Sequence, residues 1–273
     1  MPGCYMYNRK EHYKIEKNLA KILKKAPRKK RLTAYTETYD ELFRKIPDHP
    51  QLTGAEQNIV DKEYESKKNF ISRFFSKDIN FIEFGAGDGS FCNFISDKFN
   101  HLYSVDCSEY LNSKSESKAN VEKIVRDCAS PLQLSRPIGV AFSSHFLEHL
   151  HPKDSILHLK NVYNLLEARG VYLILVPNKC GGPHDISREY DDFATCFHLN
   201  ECTSFELIAS LKEAGFSRVK LYVCASYKTI RVPISLVTML ENMILKISPK
   251  LRRWVMGTFL FRPLNQLRLI AYK

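Results

Sequence analysis

The chain has 273 residues, 44% of them hydrophobic, and its 41 Lys and Arg against 30 Asp and Glu give a formal net charge of +11. That length is ample for one buried core with appendages, yet no apolar run reaches the roughly 20 residues of a membrane span, and no apolar stretch follows the charged N-terminus as a secretory signal requires. The eight cysteines, at positions 4, 92, 107, 128, 180, 196, 202 and 224, are scattered without a framework, so the thiols are expected to be reduced and the protein cytoplasmic.

The charge is concentrated at the start. Residues 1–31 hold eleven Lys or Arg and two Glu, +9 of the +11, so the other 242 residues are nearly neutral. Within this basic segment Ile15, Leu19, Ile22 and Leu23 recur at i, i+4, i+7 and i+8, which predicts an amphipathic helix stopped by Pro27. Two roles are open for it. The stripe packs on the following domain and the lysines are solvated, or the basic face attracts anionic lipid, an acidic carrier or nucleic acid. Residues 32–78 read as a helical cap, with helices over Thr36 to Ile46 and Thr53 to Phe75 separated by the rigid turn Ile46-Pro47-Asp48-His49-Pro50. The main domain is placed at 79–273.

That domain opens on Phe81-Ile82-Glu83-Phe84-Gly85-Ala86-Gly87-Asp88-Gly89-Ser90-Phe91, an apolar strand that ends in a carboxylate and turns through three glycines. Glycines at alternate positions let the backbone approach a ligand, and the helix that opens at 91–95 aims its first amides at the same place. Beside a dinucleotide pyrophosphate Glu83 would be repelled, at a cost of a few kcal/mol in a partly dry pocket. The amino group and sulfonium of S-adenosylmethionine would instead attract it. A dinucleotide loop also wants glycine one place later, where this chain has Ser90.

Further along, His101 to Val105 is a short strand ending in Asp106, about twenty residues after the first glycine, where doubly wound folds hold ribose hydroxyls. Cys107 follows. Val121 to Val125 ends in Arg126-Asp127-Cys128, an acid suited to an adenine amino group. Ile138 to Phe142 ends in Ser143-Ser144-His145. These residues, with Ser144-His145-Phe146-Leu147-Glu148-His149-Leu150, Leu165-Leu166-Glu167-Ala168-Arg169-Gly170 and Leu173-Ile174-Leu175-Val176-Pro177-Asn178, resemble the class I S-adenosylmethionine-dependent methyltransferases over roughly residues 55–225 and the extreme C-terminus. In its core motifs the chain looks like the ubiquinone-biosynthesis enzymes. The resemblance implies an α/β, Rossmann-like fold: a seven-stranded, mostly parallel sheet with helices on both faces, closed by Ser217 to Cys224 and Leu267 to Tyr272. It also implies that S-adenosylmethionine is held by Glu83, Gly85, Ala86, Gly87, Asp106, Cys107, Asp127, Cys128, Ser143 and Ser144. A helical insertion over 232–263 shapes the substrate pocket or merely packs.

The expected function is methyl transfer to a small-molecule acceptor, a sugar, lipid or natural-product intermediate, on oxygen before nitrogen. The rivals are an RNA or protein methyltransferase recruited by the basic segment, and a scaffold that holds the cofactor without turnover. The loop from Pro177 through Arg188 to Leu199 leaves the carboxyl end of a central strand, where such folds bind ligands. Within it His184 is the expected proton acceptor with Asp185 as its orienter, and His145 is the second candidate. In a helix His145, Glu148 and His149 at i, i+3 and i+4 would share one face, where the ubiquinone enzymes place two glutamates and a histidine around a divalent ion. His145 replaces the first glutamate, and no metal is expected. Cys180, His184, Cys196, His198 and Cys202 lack a Cys-x-x-Cys knuckle, so zinc is not expected either. No Asn/Asp-Pro-Pro-Tyr/Phe follows the fourth strand, which argues against exocyclic base methylation.

Overall fold

The computed structural model describes residues 8–49, 52, 57–113, 115–225 and 228–273. Helix α1, Arg9–Lys25, starts where the Asn8 side chain accepts from the Glu11 amide at 3.1 Å. It buries Leu19, Ala20 and Leu23 and packs Ile15 against the same core. Ile22 departs from the expected stripe and is 52% exposed, because at 3.6 residues per turn it falls outside the arc set by Ile15, Leu19 and Leu23.

Helix α2 runs Arg28–Lys45, so Pro27 starts it as well as ending α1, and the boundary expected at 31/32 falls inside this helix. Its anchor is a buried ion pair. The Arg31 guanidinium donates to both Asp154 oxygens, at 2.5 and 2.9 Å, and the Tyr35 hydroxyl donates to the same carboxylate at 3.0 Å. Helix α3, Gln57–Ile71, continues into a 3-10 turn at Ser72–Phe74; residues 53–56 of the expected helix lie outside the described residues.

The sheet has strands β1 (Ser76–Phe84), β2 (Phe99–Asp106), β3 (Val121–Val125), β4 (Ile138–Ser144), β5 (Leu166–Pro177), β6 (Arg218–Ala225), β7 (Lys228–Val232) and β8 (Gln266–Tyr272), in the order 3-2-1-4-5-8-6-7. The first five are parallel to one another, while β8 runs antiparallel between β5 and β6. The count is eight where seven were expected. The extra strand, β7, is a five-residue edge hairpin on β6 with Ile230 half exposed, too short and too weakly patterned to be read as core.

Strand alternation divides the core into two layers. Ile82, Phe84, Tyr103 and Val105 face the layer that receives α1 and α2, and Phe81, Phe99 and Leu102 face the layer over which Phe70 and Ile71 pack. Between the strands lie helices α4 (Ser90–Phe94), α5 (Glu109–Asn112), α6 (Pro152–Leu165) and α7 (Ser204–Glu213); the insertion forms α8 (Ile234–Ile244) and α9 (Pro249–Gly257). The order reverses between β1 and β4. That is the crevice in which a doubly wound sheet binds its ligand.

Candidate active site

At the carboxyl ends of β1 and β2 the chain is held in an unusual path. Gly85, Gly87 and Gly89 all have positive φ, and the Gly85 and Ala86 amides donate to the Val105 carbonyl at 2.9 and 3.1 Å. A Cβ on Gly85 would meet Phe146 at 2.5 Å, whereas one on Gly87 would have no neighbour within 4 Å. Gly87 therefore faces open space, and any side chain there would fill it. The space is a cavity with Gly85, Gly87, Asp106, Cys107, Asp127 and Cys128 on its wall. Tyr35, Tyr39 and Phe43 of α2 close it from the other side.

Asp106 is the chief acid of this cavity. Its Oδ2 accepts from the Gly87 amide at 2.8 Å and its Oδ1 from the Ser108 amide at 2.9 Å. Burial pushes its pKa up to about 6, against the pull of those amides. Asp127 Oδ1 accepts from the Ala129 and Ser130 amides and fixes the turn beside it.

Glu83 is a correction. It does not line this cavity but lies in the opposite layer, where its Oε2 accepts from the Cys92 thiol at 3.2 Å. The reason is the period of two along β1: Glu83 shares a face with Phe81, whereas Phe84 shares one with Ile82. Burial raises its pKa to about 7, opposed by the nearby Lys67 cation. Ala86 and the two serines are also absent from the wall. Ser143 is fully buried with its hydroxyl 2.8 Å from that of Tyr172, a core hydrogen bond, and the Ser144 hydroxyl is buried without a partner.

A second cavity, about 500 Å³, adjoins the first and shares Tyr39, His145 and His149 with it. Its wall also has Glu16 of α1 and His184, Asp185 and His198 of the long loop. In that loop His184 Nε2 lies 2.8 Å from the Asn178 carbonyl, to which it must donate, so Nδ1 carries the lone pair. Burial lowers its pKa, and it is neutral at physiological pH. Asp185 does not orient it. Its Oδ1 accepts from the Ser187 amide at 3.0 Å and its Oδ2 from the His198 amide at 3.1 Å, which makes it the cap of a 3-10 turn over Ile186–Glu189. The Glu201 carboxylate holds the His184 amide instead, at 2.7 Å.

His145, Glu148 and His149 do not share a regular helical face. His145 has φ +52 and only Leu147–His149 form a single 3-10 turn. The His145 Nε2 accepts from the Gln266 amide at 2.9 Å, and its Nδ1 lies 3.3 Å from Glu148 Oε1. Glu148 is almost wholly buried, and neither carboxylate oxygen makes a hydrogen bond of good geometry. Burial alone would raise its pKa; His145, His149 and His198 outweigh that and lower it. One ligand atom each from Glu148, His149 and His198 lies within 4.8 Å of the others, close enough to hold a cation. His149 is pushed down to about 4, chiefly by burial.

Sequence reasoning missed Tyr35, Tyr39 and Phe43, and it weighed His198 only as a zinc ligand. The only trace in the sequence is that Tyr35, Tyr39 and Phe43 are spaced by four on one helix face.

Residues 54–221 match the model of a methyltransferase domain family. No curated protein sequence matches the chain. Among solved structures, a chain of the complex of the Haloferax volcanii Trm112 methyltransferase activator superposes with a TM-score of 0.56 at 12% identity, over 82% of this chain and 96% of that one. A SAM-dependent methyltransferase from Archaeoglobus fulgidus gives 0.51 at 20% identity, over 80% and 100%. The [4+2]-cyclase SpnF gives 0.54 at 13% identity, over 77% and 81%. At such identities the likeness is one of fold.

Proposed function

Because this chain belongs to the methyltransferase domain family and is an S-adenosylmethionine-dependent methyltransferase, we propose that it methylates an oxygen of a small molecule held in the second cavity. The observation that carries this reading is the common wall: two cavities that share Tyr39, His145 and His149 would bring a cofactor and an acceptor face to face. The first cavity fits the cofactor. Gly87 leaves room for it against the backbone, Asp106 offers a carboxylate to ribose hydroxyls, and Asp127 with Cys128 closes the far wall. When bound, the cofactor supplies a methyl group on a sulfonium, already activated for displacement.

The protein's own share is then to orient the acceptor and take its proton. His184 is suited to that step, since its Nε2–H is committed to the Asn178 carbonyl and its neutral Nδ1 is left to receive the hydroxyl proton. His145 serves the same cavity as a positioned group between Gln266 and Glu148. Among the described residues no helix is long and apolar enough to cross a membrane.

The test is to incubate the purified protein with methyl-labelled cofactor and fractionated extract and to identify the labelled species by mass spectrometry. A methyl ether or ester on a small metabolite supports the proposal. Label confined to RNA or protein overturns it.

A further inference from the structure

The last 32 residues, 242–273, contain seven Lys or Arg and no Asp or Glu. The same region is where large apolar side chains are most exposed. Helix α8 buries Val237, Glu241 and Ile244, and its Glu241 carboxylate accepts from the Asn178 side chain at 2.9 Å and from the Ser204 hydroxyl at 2.6 Å, so its inner face is fixed. Its outer face is Leu236, Met239 and Met243, at i, i+3 and i+7, each about half exposed or more. Helix α9 is anchored by Arg252 and Met256, the Met256 carbonyl accepting from Asn265 at 2.7 Å, and leaves Leu251 and Trp254 outward. The turn after it carries Phe259, 93% exposed, and Leu260, 76% exposed.

Seven large apolar residues in water within 25 consecutive positions are not scattered surface hydrophobics; together they mark an interaction surface. Its charge says with what. Lys246, Lys250 and Arg262 stand exposed among them, and no acidic side chain from this stretch neutralises them.

We propose that the α8–α9 insertion with the Phe259–Leu260 turn docks on an anionic lipid surface, the apolar residues entering the boundary between headgroups and acyl chains while Lys246, Lys250 and Arg262 lie against the headgroups. An amphipathic, basic, aromatic-bearing element of this kind is what an interfacial membrane contact uses. A second copy of the chain is a poorer occupant, since a two-fold contact would set these cations against their own copies. A nucleic acid would satisfy the cations and leave Phe259 and Leu260 in water.

Trp254 is the chain's single tryptophan and therefore reports on this surface alone. The full-length protein is mixed with phosphatidylcholine vesicles with and without phosphatidylserine, following co-sedimentation and tryptophan emission. Expected are co-sedimentation and a blue shift with phosphatidylserine, both weakened by salt. The double variant Phe259→Ser, Leu260→Ser, altered only at exposed positions, should keep its thermal midpoint and cofactor binding and lose vesicle affinity by more than about ten-fold. The proposal is overturned by an unshifted emission, or by vesicle binding that survives the double variant, which would place the lipid contact on residues 1–31. A blue shift that grows with protein concentration in the absence of vesicles overturns it in favour of self-association.

Discussion

The Tyr39 hydroxyl of α2 lies 2.9 Å from Nδ1 of His149, in the turn after β4, and the two side chains stand in the wall between the two cavities. Burial lowers the His149 pKa to about 4 and raises that of Tyr39 well above its ordinary value. At neutral pH the partition is thus uncharged but able to hydrogen-bond on both sides. It is also built from two distant parts of the chain, 110 positions apart, because a helix that precedes the sheet supplies one half of it.

Asp106 should govern cofactor affinity and its pH dependence. Asp106→Ala is expected to weaken S-adenosylmethionine binding by about 1.5–3 kcal/mol with the fold intact, since it removes charge-assisted hydrogen bonds. On the proposed reading the ionised carboxylate is the binding form, and its pKa is raised to about 6, so wild-type affinity should fall as pH drops below 6. In Asp106→Asn that fall should vanish. Calorimetry at several pH values checks both, and a flat wild-type profile would refute the assignment.

Glu83 should make the fold less stable as pH rises. Its folded-state pKa, about 7, lies above the ordinary 4.5, so the folded state holds the proton more tightly and loses that advantage between about pH 4.5 and 7. Glu83→Gln removes the titration. The variant's stability relative to wild type should therefore climb through that window, by up to about 3 kcal/mol, and level off above pH 7. Urea denaturation of both proteins measures the difference; a constant offset across the window would contradict the buried setting of this carboxyl.

His184→Ala should reduce turnover by roughly 10² to 10⁴ with little change in cofactor affinity. Single-turnover rates with labelled cofactor decide it. Turnover within about three-fold of wild type would move the role to His145 or His149 and weaken the oxygen-acceptor reading.

Arg31→Met should unsettle the whole N-terminal cap. It leaves the fully buried Asp154 with only the Tyr35 hydroxyl among its partners on α2, and loss of one member of a buried pair costs about 3–5 kcal/mol. Since α2 walls the first cavity, proposed to hold the cofactor, binding should weaken together with thermal stability. An unchanged melting temperature would show that the pair does not hold the helix.

The sequence alone determined the β1 glycine loop, Asp106, Asp127 and the sheet that presents them. Each is set by a local rule: positive φ for glycine, an acid at a parallel strand's carboxyl end, apolar runs for buried strands. It also located the basic N-terminal helix and the helical insertion. Tertiary structure decided which side chains reach the ligand space. The pleat of β1 turned Glu83 away, that of β4 seated Ser143 in the core, and the positive φ of His145 broke the expected face with His149. The second cavity was largely a tertiary matter: the sequence pointed to His145, His184 and Asp185, but Glu16, Tyr39, His149 and His198 are brought together across more than 180 positions of chain by the packing of α1 and α2. Periodicity specifies a face within one element; which two faces meet depends on how all the apolar stripes are buried at once.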